Sequence, residues 1–208
     1  MFKKKILAII PARENSRRVK NKNIRKFHKS TLIERAILQS LKSKYISDIC
    51  VTSDSNKILK ISKKYPVHLI KRPKSLSGNQ IMPDSAIIHA VRKLEKKFDL
   101  IVMLQPTSPL RRTKHIDNAI KKIINDKSDS LLSVFKSHSF LWKSKGNFSK
   151  PLNYNYLNRP RSQDIQQYQE NGAIYISKPE ILKKNKNRLG GKISIYEMNF
   201  WDSFDIND

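Results

Sequence analysis

Residues 11–23 form a polar, basic segment directly after the apolar run at residues 6–10, and this segment is well suited to binding an anion. Arginine and lysine are frequent in it, with Arg13 near its start and Lys22 near its end. Cations and free main-chain N–H groups beside a buried strand can hold a polyphosphate, because apolar walls limit screening. The segment lacks both G-x-x-x-x-G-K-[ST] and G-x-G-x-x-G. It is therefore either a phosphate loop of another kind or an exposed, solvated loop.

The elements that must position this segment follow from the apolar pattern. Continuous apolar runs predict strands at residues 6–10, 49–51, 67–70, 100–104, 130–135, 173–176 and 193–196. Apolar residues at helical spacing predict helices within residues 32–41, 58–61, 86–94 and 116–124, with Asp54 or Ser55 capping the second and Pro83 beginning the third.

This alternation of strands and helices predicts an α/β fold, a mostly parallel central sheet with helices on both faces. In such sheets ligands bind beyond the carboxyl ends of the strands, which selects the loops after residues 10, 51 and 104. Residues 1–208 read as one domain, with an irregular insertion at residues 136–170 where the pattern breaks down.

The net charge of +26 invites a nucleic-acid interpretation. However, the lysines are spread along the whole chain, and no RNP-type aromatic motif, zinc-finger spacing or basic heptad accompanies them. The chain is also rich in Ile and Asn, which share A- and T-rich codons with Lys. We therefore interpret the charge as solvated surface that reflects base composition, and we expect no nucleic-acid partner.

Several other classes of protein are excluded or disfavoured by composition. The single Cys50 excludes an intrachain disulfide and a cysteine-based zinc site, and the five histidines show no ligand spacing. No apolar run approaches the ~20 residues of a membrane span, and the apolar part of residues 1–10 is too short for a signal peptide. We expect a soluble, cytoplasmic protein.

Six motifs in chain order carry a family resemblance. They are I-I-P-A-R-x-x-S with K-N-I in residues 9–24, T-S-D-S at 52–55, R-P-x-x-L at 72–76, Q-P-T-S-P-L-R at 105–111, R-x-Q-D with N-G-A-I-Y-I in 161–176, and F-D-I-N at 204–207. Together they resemble the acylneuraminate cytidylyltransferases, the CMP-sialic acid synthetases. The resemblance implies the Rossmann-like fold of nucleotide-diphospho-sugar transferases. It also implies that the anomeric hydroxyl of a nonulosonic acid attacks the α-phosphorus of CTP, releasing pyrophosphate.

The same resemblance implies roles for individual residues. Arg13, Lys22 and Asp205 would be catalytic, the two cations steadying the charge on pyrophosphate and Asp205 binding Mg²⁺ or helping to deprotonate the hydroxyl. The nucleotide would contact Ala12, Arg13, Ser16, Lys22, Asn23, Arg72, Met82 and Gln105. The sugar would contact Gln105, Arg161, Gln163 and Tyr175. The metal would be held by Asp205 and Asn207. The insertion at 136–170 would pair two subunits and complete the partner's sugar site, and a further helix would follow residue 208.

Departures from the family pattern leave alternatives open. The phosphate loop contains no glycine, Glu14 stands where it must point away from a triphosphate, and Asn207 replaces an aspartate. The chain could therefore be an inactive or nucleotide-binding relative, or a variant that uses Kdo or GTP. Gln169 replaces a residue that is often basic, which leaves the particular nonulosonic acid open.

Overall fold

The computed structural model describes residues 4–14, 19, 21–78, 81–165 and 167–206. Its main strands are β1 (Ile6–Pro11), β4 (Asp48–Ser53), β5 (His68–Lys71), β6 (Leu100–Leu104), β7 (Ser130–Ser137), β10 (Gln167–Ser177) and β11 (Ile193–Glu197). Two small antiparallel pairs are formed by β2 (Lys26–Phe27) with β3 (Ser30–Thr31) and by β8 (Trp142–Lys145) with β9 (Phe148–Pro151).

The main strands make one seven-stranded sheet in the order β11-β7-β10-β6-β1-β4-β5. All neighbours run parallel except β10, which pairs antiparallel with both β6 and β7. The predicted α/β fold with a mostly parallel sheet is confirmed. The direction of β10 was not predictable, because an apolar run does not record the direction of its strand.

The helices are α1 (Leu32–Leu41), α2 (Asn56–Ser62), α3 (Pro83–Leu94), α4 (Thr113–Asn125) and α5 (Pro179–Asn185). Two buried clusters lie on the two faces of the sheet, and β1 and β6 contribute alternate residues to each. A capping box between Thr31 and Glu34 begins α1, and Pro83 begins α3 as predicted. The sequence pattern missed α5, because its single buried residue, Leu182, makes no helical stripe.

Two local expectations require correction. Ser55 occupies the N-cap position of α2 but makes no capping hydrogen bond; its hydroxyl donates instead to the Glu14 carboxylate at 3.1 Å. Residues 136–170 are also more regular than expected, because they contain the β8–β9 hairpin, the end of β7 and the beginning of β10. The exposed residues of these strands leave no apolar alternation that a sequence pattern could detect.

Among the described residues, no helix combines the length and apolar character needed to cross a bilayer.

Candidate active site

The carboxyl ends of β1, β4, β5 and β6 meet at one edge of the sheet, where their loops are tied together. The main-chain N–H of Ala12 donates to the Thr52 carbonyl, and that of Arg72 donates to the Ser53 carbonyl, both at 3.0 Å. Asn23 is buried, and its amide donates to the Arg13 carbonyl at 3.0 Å. The structure thus brings four of the predicted nucleotide-binding residues to the same edge.

Arg13 and Arg72 make this edge strongly cationic. Burial lowers the pKa of the Arg72 guanidinium, and the nearby positive charge of Arg13 lowers it further, against the opposing effect of Asp54. The Arg72–Asp54 ion pair is long, at 3.6 Å, and Arg72 Nε has no hydrogen-bond acceptor within the described part of the chain. Two cations held close together, one of them incompletely paired, favour a bound anion.

Glu14 does not oppose that anion directly. Its main-chain N–H donates to the Asp54 carboxylate at 3.0 Å, while its own carboxylate accepts from Ser55. That Glu14 points away from a phosphate stays a prediction, and the hydrogen bond to Ser55 gives its carboxylate a partner within the chain.

Lys22 connects the basic loop to the C-terminal motif. Its ammonium donates to the main-chain carbonyl of Ile206, and the Ile206 N–H donates to the Thr107 carbonyl at 2.8 Å. The loop after β6 is therefore tied to the same segment that contains Asp205. Ser16 and Asn207 lie outside the described residues.

A cavity of about 480 Å³ opens beside this segment. It is lined by Gln105, Phe135, Gln169, Glu170, Asn171, Gly172, Tyr175, Phe200, Ser203, Phe204 and Asp205. Three residues predicted from sequence, Gln105, Tyr175 and Asp205, thus meet in one concave site. Its volume suits a small ligand, and its wall combines aromatic rings with two carboxylates.

The position of Gln105 depends on a buried residue that the sequence analysis quoted but did not assign. Arg111 donates to the carbonyls of Gln105 and Ala173 at 3.0 and 2.7 Å, and to the Gln39 side chain at 2.9 and 3.2 Å. Burial, together with the nearby charge of Arg35, lowers the pKa of Arg111 to about 9. The arginine of the Q-P-T-S-P-L-R motif is therefore a structural tie between β6 and β10.

Tyr175 and Asn171 order the wall of the cavity that β10 provides. The Tyr175 hydroxyl donates to the Glu170 carboxylate, and burial together with that carboxylate raises the pKa of Tyr175. The buried Asn171 accepts from Ser133 Oγ at 2.6 Å and donates to Ser203 Oγ at 3.0 Å. Gly172 lies with φ +72°, which an L side chain rarely adopts, directly beside the Gln105 amide.

Asp205 is the best candidate for a metal ligand among the described residues. Its Oδ1 is buried without a hydrogen-bond partner in that part of the chain, which is costly unless a ligand completes it. A hard carboxylate oxygen of this kind suits Mg²⁺. The described residues contain no group of three or more His, Cys, Asp or Glu side chains that could form a complete protein site. Most ligands would therefore come from the nucleotide phosphates and water.

The aromatic wall of the cavity consists of Phe135, Phe200 and Phe204, and an ion pair next to Phe200 holds this wall in place. Asp202 accepts three hydrogen bonds from Arg112, at 2.7, 3.0 and 3.1 Å, and lies 3.5 Å from His115 Nε2. These contacts join the N-terminus of α4 to the 3₁₀ helix Phe200–Ser203. None of the three polar residues was predicted as part of the site.

Two residues predicted to contact the sugar, Arg161 and Gln163, do not line the cavity within one chain, and neither does Met82, which was predicted to contact the nucleotide. Arg161 is 76% exposed and pairs with Asp164 at 3.1 Å, and Gln163 is exposed in the same 3₁₀ helix, Ser162–Asp164. Met82 is exposed at the N-cap position of α3.

A mostly parallel sheet with a cationic loop edge beside an acid-lined cavity is the architecture of the nucleotide-diphospho-sugar transferase fold. One solved structure of this fold is a CMP:2-keto-3-deoxy-manno-octonic acid synthetase complexed with CTP. It superposes with a TM-score of 0.72 at 13% identity and covers 93% of this chain and 90% of its own.

The chain belongs to the cytidylyltransferase family, whose sequence profile matches residues 7–202. It is 31% identical to N-acylneuraminate cytidylyltransferase A of Danio rerio, over 97% of this chain and 48% of the relative. It is 30% identical to CMP-N,N'-diacetyllegionaminic acid synthase of Legionella pneumophila, over 88% of this chain and 82% of the relative. The chain thus spans about half the length of the fish relative and most of the Legionella one.

Proposed function

We propose that this protein transfers CMP from CTP to a nonulosonic acid and releases pyrophosphate. The observation that carries this proposal is the contact between Lys22 and Ile206, which places a cationic edge next to the cavity that contains Asp205. A site for an anionic triphosphate and a site for a polar substrate therefore share one segment. Family membership and the relatives named above support the choice of CTP and of a sialic or legionaminic acid.

The chemistry required is positioning and charge neutralisation. The anomeric hydroxyl of the sugar attacks the α-phosphorus, a new P–O bond forms, and the bond to the β-phosphate oxygen breaks opposite to it. Arg13 and Lys22 stabilise the negative charge that develops on the departing pyrophosphate. Asp205, which lines the cavity, would accept the hydroxyl proton. Mg²⁺, held by Asp205 and the phosphates, would add further charge neutralisation when bound.

We also propose that the protein acts as a homodimer. The β8–β9 hairpin and the segment after it expose large apolar side chains, with Phe148 83% and Leu157 80% exposed. Clustered exposed apolar residues are typical of interaction surfaces. A second copy docked there would bring Arg161 and Gln163 towards a neighbouring cavity. We expect the enzyme to work in the cytoplasm and to supply activated sugar for a surface polysaccharide.

The test is a pyrophosphate-release assay with full-length protein and Mg²⁺, in which CTP and GTP are crossed with N-acetylneuraminic, legionaminic, pseudaminic and Kdo acids. Release that requires both CTP and a nine-carbon acid is expected. Turnover with GTP or with Kdo would redefine the substrates. CTP binding without turnover on any sugar would indicate a nucleotide-binding relative instead.

A further inference from the structure

Arg188 lies beside the cavity in the loop between α5 and β11. Its main-chain N–H donates to the Asp84 carboxylate at 2.8 Å, which attaches this loop to the first turn of α3. The guanidinium carbon lies 4.4 Å from the centroid of the Tyr175 ring. Tyr175 itself lines the cavity, so the cation is one aromatic ring away from the sugar site proposed above.

The Arg188 guanidinium is enclosed but poorly satisfied. Its side chain is only 14% exposed, and its nearest carboxylate oxygen, Asp84 Oδ2, lies at 3.7 Å. The one hydrogen bond found for it among the described residues is to the Met103 thioether at 3.3 Å, and a thioether is a weak acceptor. A guanidinium has five N–H donors, and enclosing it without full partners is costly. A ligand oxygen would complete it.

The strand geometry places the contacts of Arg188 on the face of the sheet that carries Gln105. Met103 and Tyr175 are direct cross-strand partners of β6 and β10. Gln105 follows Met103 by two residues, and alternate residues of an extended chain point to the same face. Gln105 and Tyr175 both line the cavity, and Arg188 contacts the Tyr175 ring next to that lining.

The charges of the cavity make a cation necessary for an acidic ligand. The carboxylates in its lining belong to Glu170 and Asp205, and both would repel a sugar carboxylate. Arg161, the cation that the sequence favoured for this task, is exposed in the same chain and paired with Asp164. Arg188 is the enclosed arginine that stacks on the cavity wall.

We propose that Arg188 is a substrate-binding residue that pairs with the carboxylate of the acidic sugar and so selects 2-keto acids. The proposal rests on the function proposed above. The Tyr175 ring holds the guanidinium flat, and the main-chain bond to Asp84 fixes its loop. The guanidinium can then present two N–H groups to one carboxylate.

The test compares full-length wild type with Arg188→Met and Arg188→Lys in the pyrophosphate assay. Methionine preserves the apolar packing on Tyr175, and the main-chain bond to Asp84 does not depend on the side chain. We expect Arg188→Met to raise the KM for the sugar acid by at least tenfold and the KM for CTP by less than twofold. The KM of Arg188→Lys for the sugar acid should lie between those of wild type and Arg188→Met, since an ammonium cannot bind two carboxylate oxygens in the bidentate manner of a guanidinium. Arg92→Met, at an exposed position of α3, is the matched control.

A second arm uses the methyl ester of the same sugar acid, measured by calorimetric binding so that turnover is not required. Wild type should bind the acid at least tenfold more tightly than the ester, and Arg188→Met should lose that preference. An unchanged preference, or a rise in the KM for CTP alone, would overturn the proposal; the latter would assign Arg188 to a phosphate.

The failures of the two proposals are distinguishable. If wild type binds the acid but releases no pyrophosphate, the proposed activity fails and the acid–ester comparison still decides the role of Arg188. If wild type binds no sugar acid at all, both proposals are wrong. Melting temperatures of all variants identify any that do not fold. If Arg188→Met does not fold, the kinetics of Arg188→Lys decide whether Arg188 binds the sugar acid.

Discussion

The ammonium nitrogen of Lys22 lies 2.5 Å from the main-chain carbonyl oxygen of Ile206, although 184 positions separate the two residues. This hydrogen bond joins the basic loop after β1 to the segment that contains Asp205. The two halves of the candidate site are therefore coupled through a residue that is itself expected to contact phosphate. The first prediction follows from this double role.

Replacing Lys22 with methionine should lower kcat by about 100-fold, because one positioned cation on the leaving group is lost. Lys22→Arg should retain more activity, since the positive charge remains. Steady-state kinetics with saturating CTP and sugar measure the effect. Lys26→Met, at an exposed position of β2, is the matched control and should retain wild-type kcat. Activity of Lys22→Met within threefold of wild type would contradict the role.

Asp205→Asn should separate metal binding from stability. The substitution removes the negative charge from a carboxylate whose buried Oδ1 lacks a partner in the described part of the chain, so the free energy of unfolding should stay the same or increase. The Mg²⁺ concentration for half-maximal activity should rise, because an amide neutralises no charge. Urea titration and a Mg²⁺ titration of the assay measure the two effects. Asp126→Asn, in an ion pair with Lys122, is the control and should leave the Mg²⁺ dependence unchanged.

Asp202→Asn should loosen the aromatic wall of the cavity. The lost pair with Arg112 costs about 1 kcal/mol, because Arg112 is 59% exposed. We expect a several-fold rise in the KM for the sugar, since Phe200 lies in the anchored 3₁₀ helix and Phe204 follows it. Asp48→Asn breaks a comparable pair with Lys96 and should leave the KM unchanged. Equal kinetics for the two variants would refute the anchoring role.

Arg111→Lys should destabilise the protein by about 3 kcal/mol, although it conserves the charge. A lysine has three donors on one nitrogen and cannot reproduce the four hydrogen bonds that the planar guanidinium makes to Gln39, Gln105 and Ala173, so buried acceptors would lose donors. Urea-induced unfolding followed by circular dichroism gives the free energy. Arg92→Lys on the exposed face of α3 should change it by less than 0.5 kcal/mol. A similar small change for Arg111→Lys would show that the four hydrogen bonds are dispensable.

His115 should make stability depend on pH near neutrality. Burial lowers the pKa of His115, against the opposing effect of Asp202, and the charges of Lys114, Arg112 and Arg111 lower it further. The folded state therefore resists protonation, so stability should fall as pH decreases below about 6.5, the ordinary value for histidine. The same conclusion follows from geometry, because His115 Nδ1 accepts the Arg112 N–H at 3.2 Å and a protonated nitrogen cannot.

The matched substitution is His115→Gln, which retains an acceptor at this N3 position but does not titrate. Thermal unfolding between pH 5 and 8 should show that this variant loses less stability than wild type as the pH decreases. His28→Asn, at an exposed residue with φ 59°, should show the same dependence of stability on pH as wild type. If the stability of wild type and of His115→Gln depends on pH in the same way, groups other than His115 cause the loss of stability at acid pH.

Sequence by itself was sufficient wherever the physical signal is local. The apolar runs at residues 6–10 and 100–104 predicted two central strands, and the cationic loop and the motif at 105–111 lie at the carboxyl edge of the sheet, as predicted. Cys50 is buried, and burial raises its pKa to about 12. These features depend on side-chain type and spacing, which the sequence displays directly.

Only the tertiary structure decided which distant residues meet. The antiparallel direction of β10 brings Tyr175 opposite Met103, and this pairing creates the wall on which Arg188 stacks. Arg111, Asp202 and His115 gained their roles in the same way, through partners many positions away. The sequence also could not predict that Arg161 is exposed, because the spacing of residues does not reveal whether a side chain faces the cavity of its own chain. Local preferences determine the elements, whereas strand direction and long-range packing determine which of their side chains share a site.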